Sequence, residues 1–331
     1  MDFAPQTLPF TDILTLALGG IAAGIYVLVK GGGWAIDGAV SLANYFKISP
    51  LIIGFTIIAF GTSLPELVVS VNANLKGYPG LSVGNVIGSN IANILLVIGM
   101  TCLLLPLKFK GGKQSFYDMA MLLFASALIC VFMQSNVISQ TLGGIMVAIL
   151  LSYILFQYFQ AKKGDVIVDE DETHAVYTSL LKSLFFTIIG LVGIALGAEL
   201  LVRSAVIGAT TLGVSEAVIG LTIVALGTSL PELVTCLIAA KRGQGDIVLG
   251  NVVGSGVFNI LSIIGLTALI SPIDLTIVSD KLLQIDGWVM LGITALFALY
   301  LFTIKKFTRL TGLVMLLVYV GFTIEQYLSM V

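Results

Sequence analysis

Two glutamates stand out because each lies in a polar turn within an otherwise apolar stretch. The string GTSLPE occurs at 61–66 and again at 227–232. Its proline removes one backbone hydrogen bond from a helix and leaves the carbonyl four residues earlier without a donor. Carboxylate, hydroxyl and carbonyl oxygens are the hard ligands that Ca²⁺ and Na⁺ prefer, and the string offers no thiolate or imidazole for a softer metal. We therefore expect both copies to contribute to a cation site, through these side chains: Thr62, Ser63, Glu66, Thr228, Ser229 and Glu232.

A second polar motif follows each of these strings after a short turn. It reads GNVIGSNIAN at 84–93 and GNVVGSGVFN at 250–259. The serine and the final asparagine are four residues apart, so each pair lies on one helical face. The glycines have the small-xxx-small spacing that lets membrane helices approach closely. Four helices packed in this way would bring further candidate ligands to the same depth: Ser89, Asn93, Ser255 and Asn259.

Both motifs repeat at a constant offset of 166 residues, which indicates an internal duplication. Residues 54–100 align without a gap to 220–266, with 24 identities in 47 positions. An ionisable group inside a membrane is costly, and it is a candidate for function for that reason. Two such groups related by the duplication make a purely structural role a weak explanation.

The composition indicates a membrane protein. Of 331 residues, 58% are hydrophobic and 10% are charged, whereas soluble domains carry about 25% charged residues. The apolar runs are continuous rather than alternating, which favours spanning helices over a β-barrel. Since the start of the chain lacks a basic n-region, we expect 11–30 to belong to a retained helix rather than a signal peptide. The sequence has no basic patch for a nucleic-acid partner. We predict an all-α polytopic membrane protein with ten transmembrane helices, at 11–44, 51–75, 81–106, 115–133, 138–162, 177–211, 216–241, 247–270, 281–304 and 309–330.

Five helices in each half is an odd number, so the second half enters the membrane from the opposite side. Two inverted-topology five-helix repeats place a substrate site near the midplane where they meet. On this topology twelve Lys and Arg residues fall on one side and two on the other, and the richer side is cytoplasmic by the positive-inside rule. We therefore expect both termini outside. The domains are a first repeat at 1–162, a cytoplasmic linker at 163–176 and a second repeat at 177–331.

Polar and glycine residues outside the motifs support weaker expectations. Glu199 and Arg203 are four residues apart and predict a structural ion pair. Asp118 and Asp286 lie near predicted helix ends, where we expect interfacial positions. The glycines at 31–33 suggest a hinge in the first helix.

At the two motifs the chain resembles the cation/calcium exchanger superfamily and, within it, the prokaryotic sodium/calcium exchangers. The resemblance covers nearly the whole chain, and a doubled GTSLPE followed by GNxxGS is its specific part. It implies that Glu66 and Glu232 are the central Ca²⁺ ligands. The hydroxyls of both motifs, together with the backbone carbonyls of Ala59 and Ala225, would complete the Ca²⁺ and Na⁺ sites. It further implies transported ions without a cofactor, in a protein of a prokaryotic plasma (inner) membrane. We expect a monomer surrounded by lipid.

One position departs from the pattern of this superfamily. Many sodium/calcium exchangers, and the potassium-dependent ones, carry an aspartate where this chain has Asn259, and Asn93 is its counterpart in the first repeat. The site then offers two formal negative charges, which neutralise one Ca²⁺ or two Na⁺. This weakens the case for potassium co-transport.

Together these features predict a secondary antiporter that exchanges Na⁺ for Ca²⁺ by alternating access. Both ions compete for the same carboxylates. A Ca²⁺/H⁺ antiporter of the same fold is the first alternative, because buried glutamates can titrate near neutral pH. A cation channel is a second alternative. An enzyme is the weakest, because the helices contain no evident nucleophile–base pair or metal-binding His/Cys cluster.

Overall fold

The computed structural model describes residues 9–109, 112–162, 176–213 and 225–328. The chain is mainly helical throughout these residues. The helices are α1 Phe10–Phe46, α2 Pro50–Thr62, α3 Leu64–Leu75, α4 Pro79–Leu104, α5 Lys113–Phe132, α6 Gln140–Lys162, α7 Leu180–Thr211, α8 Ala225–Thr228, α9 Leu230–Lys241, α10 Gly245–Ile270, α11 Leu282–Thr303 and α12 Arg309–Leu328.

Eight of the described helices are long and apolar enough to cross a membrane, and the bent pair α2–α3 makes up to nine candidate spans. The bend of 44° occurs at Ser63, where Pro65 cannot donate a backbone hydrogen bond to the preceding turn. The helix predicted at 216–241 appears as α8 and α9, and its beginning lies outside the described residues. The predicted number of ten spans therefore stays a prediction.

The long helices α1 and α7 pack against each other in antiparallel directions, along glycines. Gly24 lies against the backbone of Gly197, and Gly31 lies against the backbone of Gly190. A Cβ atom placed on Gly31 would lie 2.8 Å from the Gly190 carbonyl oxygen, so only glycine permits this approach. The helix α1 is continuous over 37 residues and Gly31 serves its close packing on α7, while the hinge at 31–33 stays a prediction.

The helices α4 and α10 form the centre of the molecule and run antiparallel. Gly80 at the start of α4 lies beside Val278, which follows α10, and Gly245 at the start of α10 lies beside Lys108, which follows α4. The most apolar 18-residue window of α10 is 100% buried and that of α4 is 83% buried, against 6% for α12. The two helices that carry the second motif are thus the most enclosed of the eight long candidate spans in the described residues.

Two short β-ribbons interrupt the helical architecture. β1 (Leu107–Lys108) pairs antiparallel with β4 (Lys306–Phe307), and β2 (Val137–Ile138) pairs antiparallel with β3 (Ile273–Asp274). Each ribbon joins one strand from the first half of the chain to one from the second. Since β1 follows α4 and β3 follows the antiparallel α10, the two ribbons lie at opposite ends of this central pair.

Candidate cation site

Each glutamate of the doubled string lies in the first turn of a short helix that begins after a break. Glu66 lies in the first turn of α3, and Glu232 in the first turn of α9. The breaks are at Ser63, with ψ of 2°, and at Ser229, with ψ of 0°. A helix N-terminus carries a partial positive charge that favours a carboxylate. The proline therefore both positions the acid and opens the backbone beside it.

The two carboxyl groups are buried near each other. Each residue is 1% exposed, and they lie close enough for their charges to interact. Glu66 Oε2 and both carboxylate oxygens of Glu232 have no hydrogen-bond partner among the described residues. A buried, unpaired carboxylate is very costly. A bound cation between the two carboxylates would remove that cost.

The first string reaches the second motif of the opposite half through Thr62. Its hydroxyl lies 3.3 Å from Asn251 Oδ1, to which it donates, and 3.5 Å from the hydroxyl oxygen of Ser255. Both side chains belong to α10. The structure thus brings Thr62 and Ser255 together as candidate ligands, although 193 residues separate them in the chain.

Asn93 and Asn259 also lie in the buried centre. They are 2% and 1% exposed, and neither side-chain amide has a hydrogen-bond partner within the described ranges. Asn93 begins a π-helical turn, Asn93–Ile98, and Asn259 is the second residue of another, Phe258–Ile264. Such turns occur frequently at functional sites. Both amides therefore have carbonyl oxygens available for a cation.

The predicted carbonyl ligands are placed less favourably than the side chains. The oxygen of Ala59 accepts from the Ser63 N–H at 3.0 Å and from the Thr62 hydroxyl at 3.3 Å. An ion at this oxygen would have to displace one of these donors. Ala225 is the first residue of α8.

Two asparagines that the sequence reasoning did not assign to the site hold it together. Asn251 donates to the Thr235 hydroxyl at 3.1 Å, which joins α10 to α9. Asn85 donates to the Ser70 hydroxyl at 2.9 Å and to the Glu66 carbonyl oxygen at 3.2 Å, which joins α4 to α3. Asn85 and Asn251 obey the 166-residue offset, and this was the signal that could have identified them.

A cavity of about 780 Å³ leads from the site toward one face. We call it the access cavity. Its walls include Ser89, Thr228 and Ser229 at the site, and Lys281 and Gln326 further out.

The duplicated glycines Gly88 and Gly254 both lie beside the site. Gly88 lines the access cavity, and a Cβ atom there would meet nothing within 4 Å in the described residues. A Cβ atom on its counterpart Gly254 would lie 2.4 Å from the carbonyl oxygen of Phe55 on α2. The counterpart of this part of α2 in the second half, 216–224, lies outside the described residues.

The remaining polar residues named from the sequence lie apart from the site. Glu199 and Arg203 form an exposed ion pair on α7, as predicted. Asp118 and Asp286 are buried within the protein, at 2% and 5% exposed, and their interfacial depth stays a prediction.

Comparison with known proteins identifies the family. The profile described as "Sodium/calcium exchanger protein" matches residues 16–159 and again 182–328. The chain belongs to this family. A separate match to each half agrees with the duplication, and the family is one of membrane transporters rather than enzymes. The chain is accordingly an integral membrane protein related to cation/Ca²⁺ antiporters.

Individual relatives resemble nearly the whole chain. It is 33% identical over 320 residues to the putative antiporter CaxA of Alkalimonas amylolytica, covering 93% of this chain and 97% of that protein. It is 31% identical over 341 residues to the sodium/calcium exchanger MaX1 of Methanosarcina acetivorans, covering 92% and 96%. The structure of the sodium–calcium exchanger NCX_Mj soaked with zero Na⁺ and Ca²⁺ matches with a TM-score of 0.78 at 32% identity, covering 93% of this chain and 97% of the other.

Proposed function

We propose that the protein exchanges Na⁺ for Ca²⁺ across the membrane, at a single site between its two halves. The observation that carries this proposal is the pair of buried carboxylates, Glu66 and Glu232, of whose four oxygens three lack hydrogen-bond partners in the described part of the chain. The hydroxyl and amide oxygens around them are hard ligands of the kind that Ca²⁺ takes in groups of six to eight. The proposed ligand set is the one predicted from the sequence: Thr62, Ser63, Glu66, Ser89, Asn93, Thr228, Ser229, Glu232, Ser255 and Asn259, with the carbonyls of Ala59 and Ala225.

Exchange follows from competition for the two carboxylates. One Ca²⁺ or two Na⁺ neutralises them, so occupancy by one species excludes the other. Asn259 adds an oxygen ligand but no charge. A third Na⁺ would therefore be held without a carboxylate of its own, and we expect the stoichiometry to follow this charge count.

We propose ten spans in two inverted repeats, with both termini on the outer face. Three features support the inversion. α1 is antiparallel to its counterpart α7, and α4 is antiparallel to its counterpart α10. The duplication also relates β1 to β3, so the ribbon β1–β4 corresponds to β3–β2 at the opposite end.

Alternating access is supported by the position of the access cavity on one side of the inverted repeat. The cavity lies beside Gly88 of α4. An equivalent opening beside its counterpart Gly254, which packs against α2, would serve the opposite side. Each ion shifts the equilibrium between the two conformations only to the extent that it binds them with different affinities.

The test is ⁴⁵Ca²⁺ uptake into proteoliposomes loaded with Na⁺ and diluted into Na⁺-free buffer. We expect uptake that requires internal Na⁺ and is lost in Glu66→Gln and in Glu232→Gln. Glu199→Gln is the matched control, because Glu199 belongs to the exposed ion pair on α7 and surface pairs contribute at most about 1 kcal/mol. Size-exclusion profiles check that all three variants are folded.

Two other outcomes would replace the proposal. Uptake driven by a pH gradient and indifferent to Na⁺ would mean proton coupling, with the same glutamates as proton carriers. Uptake that needs no counter-ion and does not saturate would indicate a channel.

A further inference from the structure

A carboxylate outside the duplicated motifs lines the access cavity. Asp286, at the start of α11, is 5% exposed and accepts a hydrogen bond from Gln326 Nε2 at 2.8 Å. It is the one acidic side chain among the described residues that line this cavity. Nearby, Lys281 donates to Glu325 and to Gln326, both at 2.9 Å. The charges of Lys281 and Asp286 also attract each other, so Lys281, Glu325 and Asp286 together leave one net negative charge at this end of the cavity.

A similar arrangement lies on the other half of the chain. Asp118 of α5 is 2% exposed, and its Oδ1 accepts from the Tyr153 hydroxyl at 2.5 Å, from Gln157 Nε2 at 2.6 Å and from Gln114 Nε2 at 2.9 Å. Its Oδ2 has no hydrogen-bond partner among the described residues, although it is buried. Three donors hold one oxygen and leave the other without a contact, which a packing role alone does not require.

The duplication relates the two arrangements. The aspartates are 168 positions apart and their glutamine partners 169, close to the offset of 166 in the motifs. Asp118 and Asp286 lie on the fourth helical span of their halves, and Gln157 and Gln326 on the fifth. We call Asp286–Gln326 and Asp118–Gln157 the acid–glutamine pairs. The sequence alignment of the motifs does not extend to these helices, which is why the correspondence appears only in the structure.

The two pairs have different neighbours. The pair Asp286–Gln326 lines the access cavity. The ring of Tyr153, whose hydroxyl donates to Asp118, packs on Phe55 of α2 with centroids 5.6 Å apart. The counterpart of Phe55 in the second half, Leu221, lies outside the described residues.

We propose that Asp286 and Asp118 are the vestibule carboxylates of the two cation pathways, each attracting the transported cation when its own side is open. The inference rests on the proposed exchange and adds a recognition residue to each pathway. A charge in a narrow cavity with apolar walls raises the local concentration of counter-ions and their rate of association. A unit negative charge about 10 Å from a divalent ion in water changes the ion's local concentration about fourfold.

The test measures the KM for Ca²⁺ separately on the two faces, in right-side-out and in everted membrane vesicles. Asp286→Asn keeps the size of the side chain and removes its charge. We expect its KM to rise about fourfold on one face only, with the maximal rate retained. We expect Asp118→Asn to raise the KM on the opposite face only. Asp280→Asn is the matched control, because Asp280 is exposed, directly precedes Lys281 and is not among the described residues that line the cavity.

Ionic strength separates an electrostatic role from a structural one. Raising it with choline chloride should raise the wild-type KM, because screening weakens the attraction. The KM of Asp286→Asn should respond less, and Asp286→Glu should recover the wild-type behaviour. An unchanged KM in Asp286→Asn, or an equal change on both faces, would refute the proposal, whatever the Asp118 variant does.

The outcome for the vestibule is separate from the outcome for the coupling ion. The same KM comparison can be driven by a Na⁺ gradient or by a pH gradient. A wild type that uses only the pH gradient would overturn Na⁺ coupling and leave the measurement on Asp286 valid. A wild type that takes up Ca²⁺ under neither gradient would overturn both.

Discussion

The substitution Gly31→Ala should destabilise the protein, although it adds a single methyl group to a helix. The new Cβ atom would lie 2.8 Å from the Gly190 carbonyl oxygen and 2.8 Å from the Ile194 nitrogen. Ordinary contacts are about 3.5 Å or more, so α1 and α7 would have to separate by roughly 0.7 Å. The atoms they meet are backbone, which cannot rotate away. A gap of this size weakens the other contacts of the interface by about a quarter to a half. Overpacking of this kind costs about 1–3 kcal/mol.

The assay is thermal unfolding in detergent, followed with a thiol-reactive fluorophore. All three cysteines are buried, so labelling reports unfolding. We expect the apparent Tm of Gly31→Ala to fall by several degrees, given about 2–4 °C per kcal/mol for chains somewhat shorter than this one. Gly19→Ala on the same helix is the control, because a Cβ atom there would meet nothing within 4 Å in the described residues, and alanine favours helix over glycine. Equal Tm values for the two variants would show that the glycine contact between α1 and α7 is not tight.

Three further predictions concern transport and the residues that position the site. Gly32→Ala should slow transport and leave Ca²⁺ binding intact, since its Cβ atom would lie 2.5 Å from the flexible end of Ile238 on α9. Equilibrium ⁴⁵Ca²⁺ binding and ⁴⁵Ca²⁺ uptake measure the two effects, and uptake at the wild-type rate would contradict the prediction. Asn251→Ala should cost about 1–3 kcal/mol of stability and raise the KM for Ca²⁺, because it removes a buried bridge between α9 and α10; thermal melts and initial uptake rates are the measurements. In Gly88→Ala the added methyl group meets nothing within 4 Å in the described residues, whereas the site of its counterpart Gly254 has no room for one. We therefore expect a normal Tm, retained Ca²⁺ binding and slow transport, and an unaltered turnover would count against alternating access.

The sequence predicted the positions of the helices well, for a physical reason. A spanning helix needs about 20 apolar residues, and this requirement leaves long runs whose ends are visible in the sequence. The predicted 115–133 and 309–330 differ from α5 and α12 by at most two residues at either end. The candidate ligands Thr62 and Ser255 lie together in the structure. The sequence singled them out because the duplication repeats an unusual combination of residues, and their role as ligands stays a prediction.

The burial of side chains and the contacts between helices could not be predicted from the sequence in the same way. Asp118 and Asp286 are near helix ends, and an interfacial position is the ordinary expectation there. They are buried because glutamines on neighbouring helices reach them, which depends on how the helices are arranged. Glycines at a bend and glycines at a close contact look alike in a sequence. The structure shows the close contact of Gly31 with Gly190, and the hinge stays a prediction.

The way in which the two ribbons are shared has a consequence for biosynthesis. Chains are made from the N-terminus, and early parts fold before later ones appear. When the first half has been inserted, β1 and β2 have no partner strands, because β4 and β3 are not yet synthesised. The glycine face of α1 is equally uncovered until α7 arrives. The newly made first half therefore exposes unpaired strand edges, which can pair with strands of other chains. The polypeptide passes through this aggregation-prone stage each time it is translated.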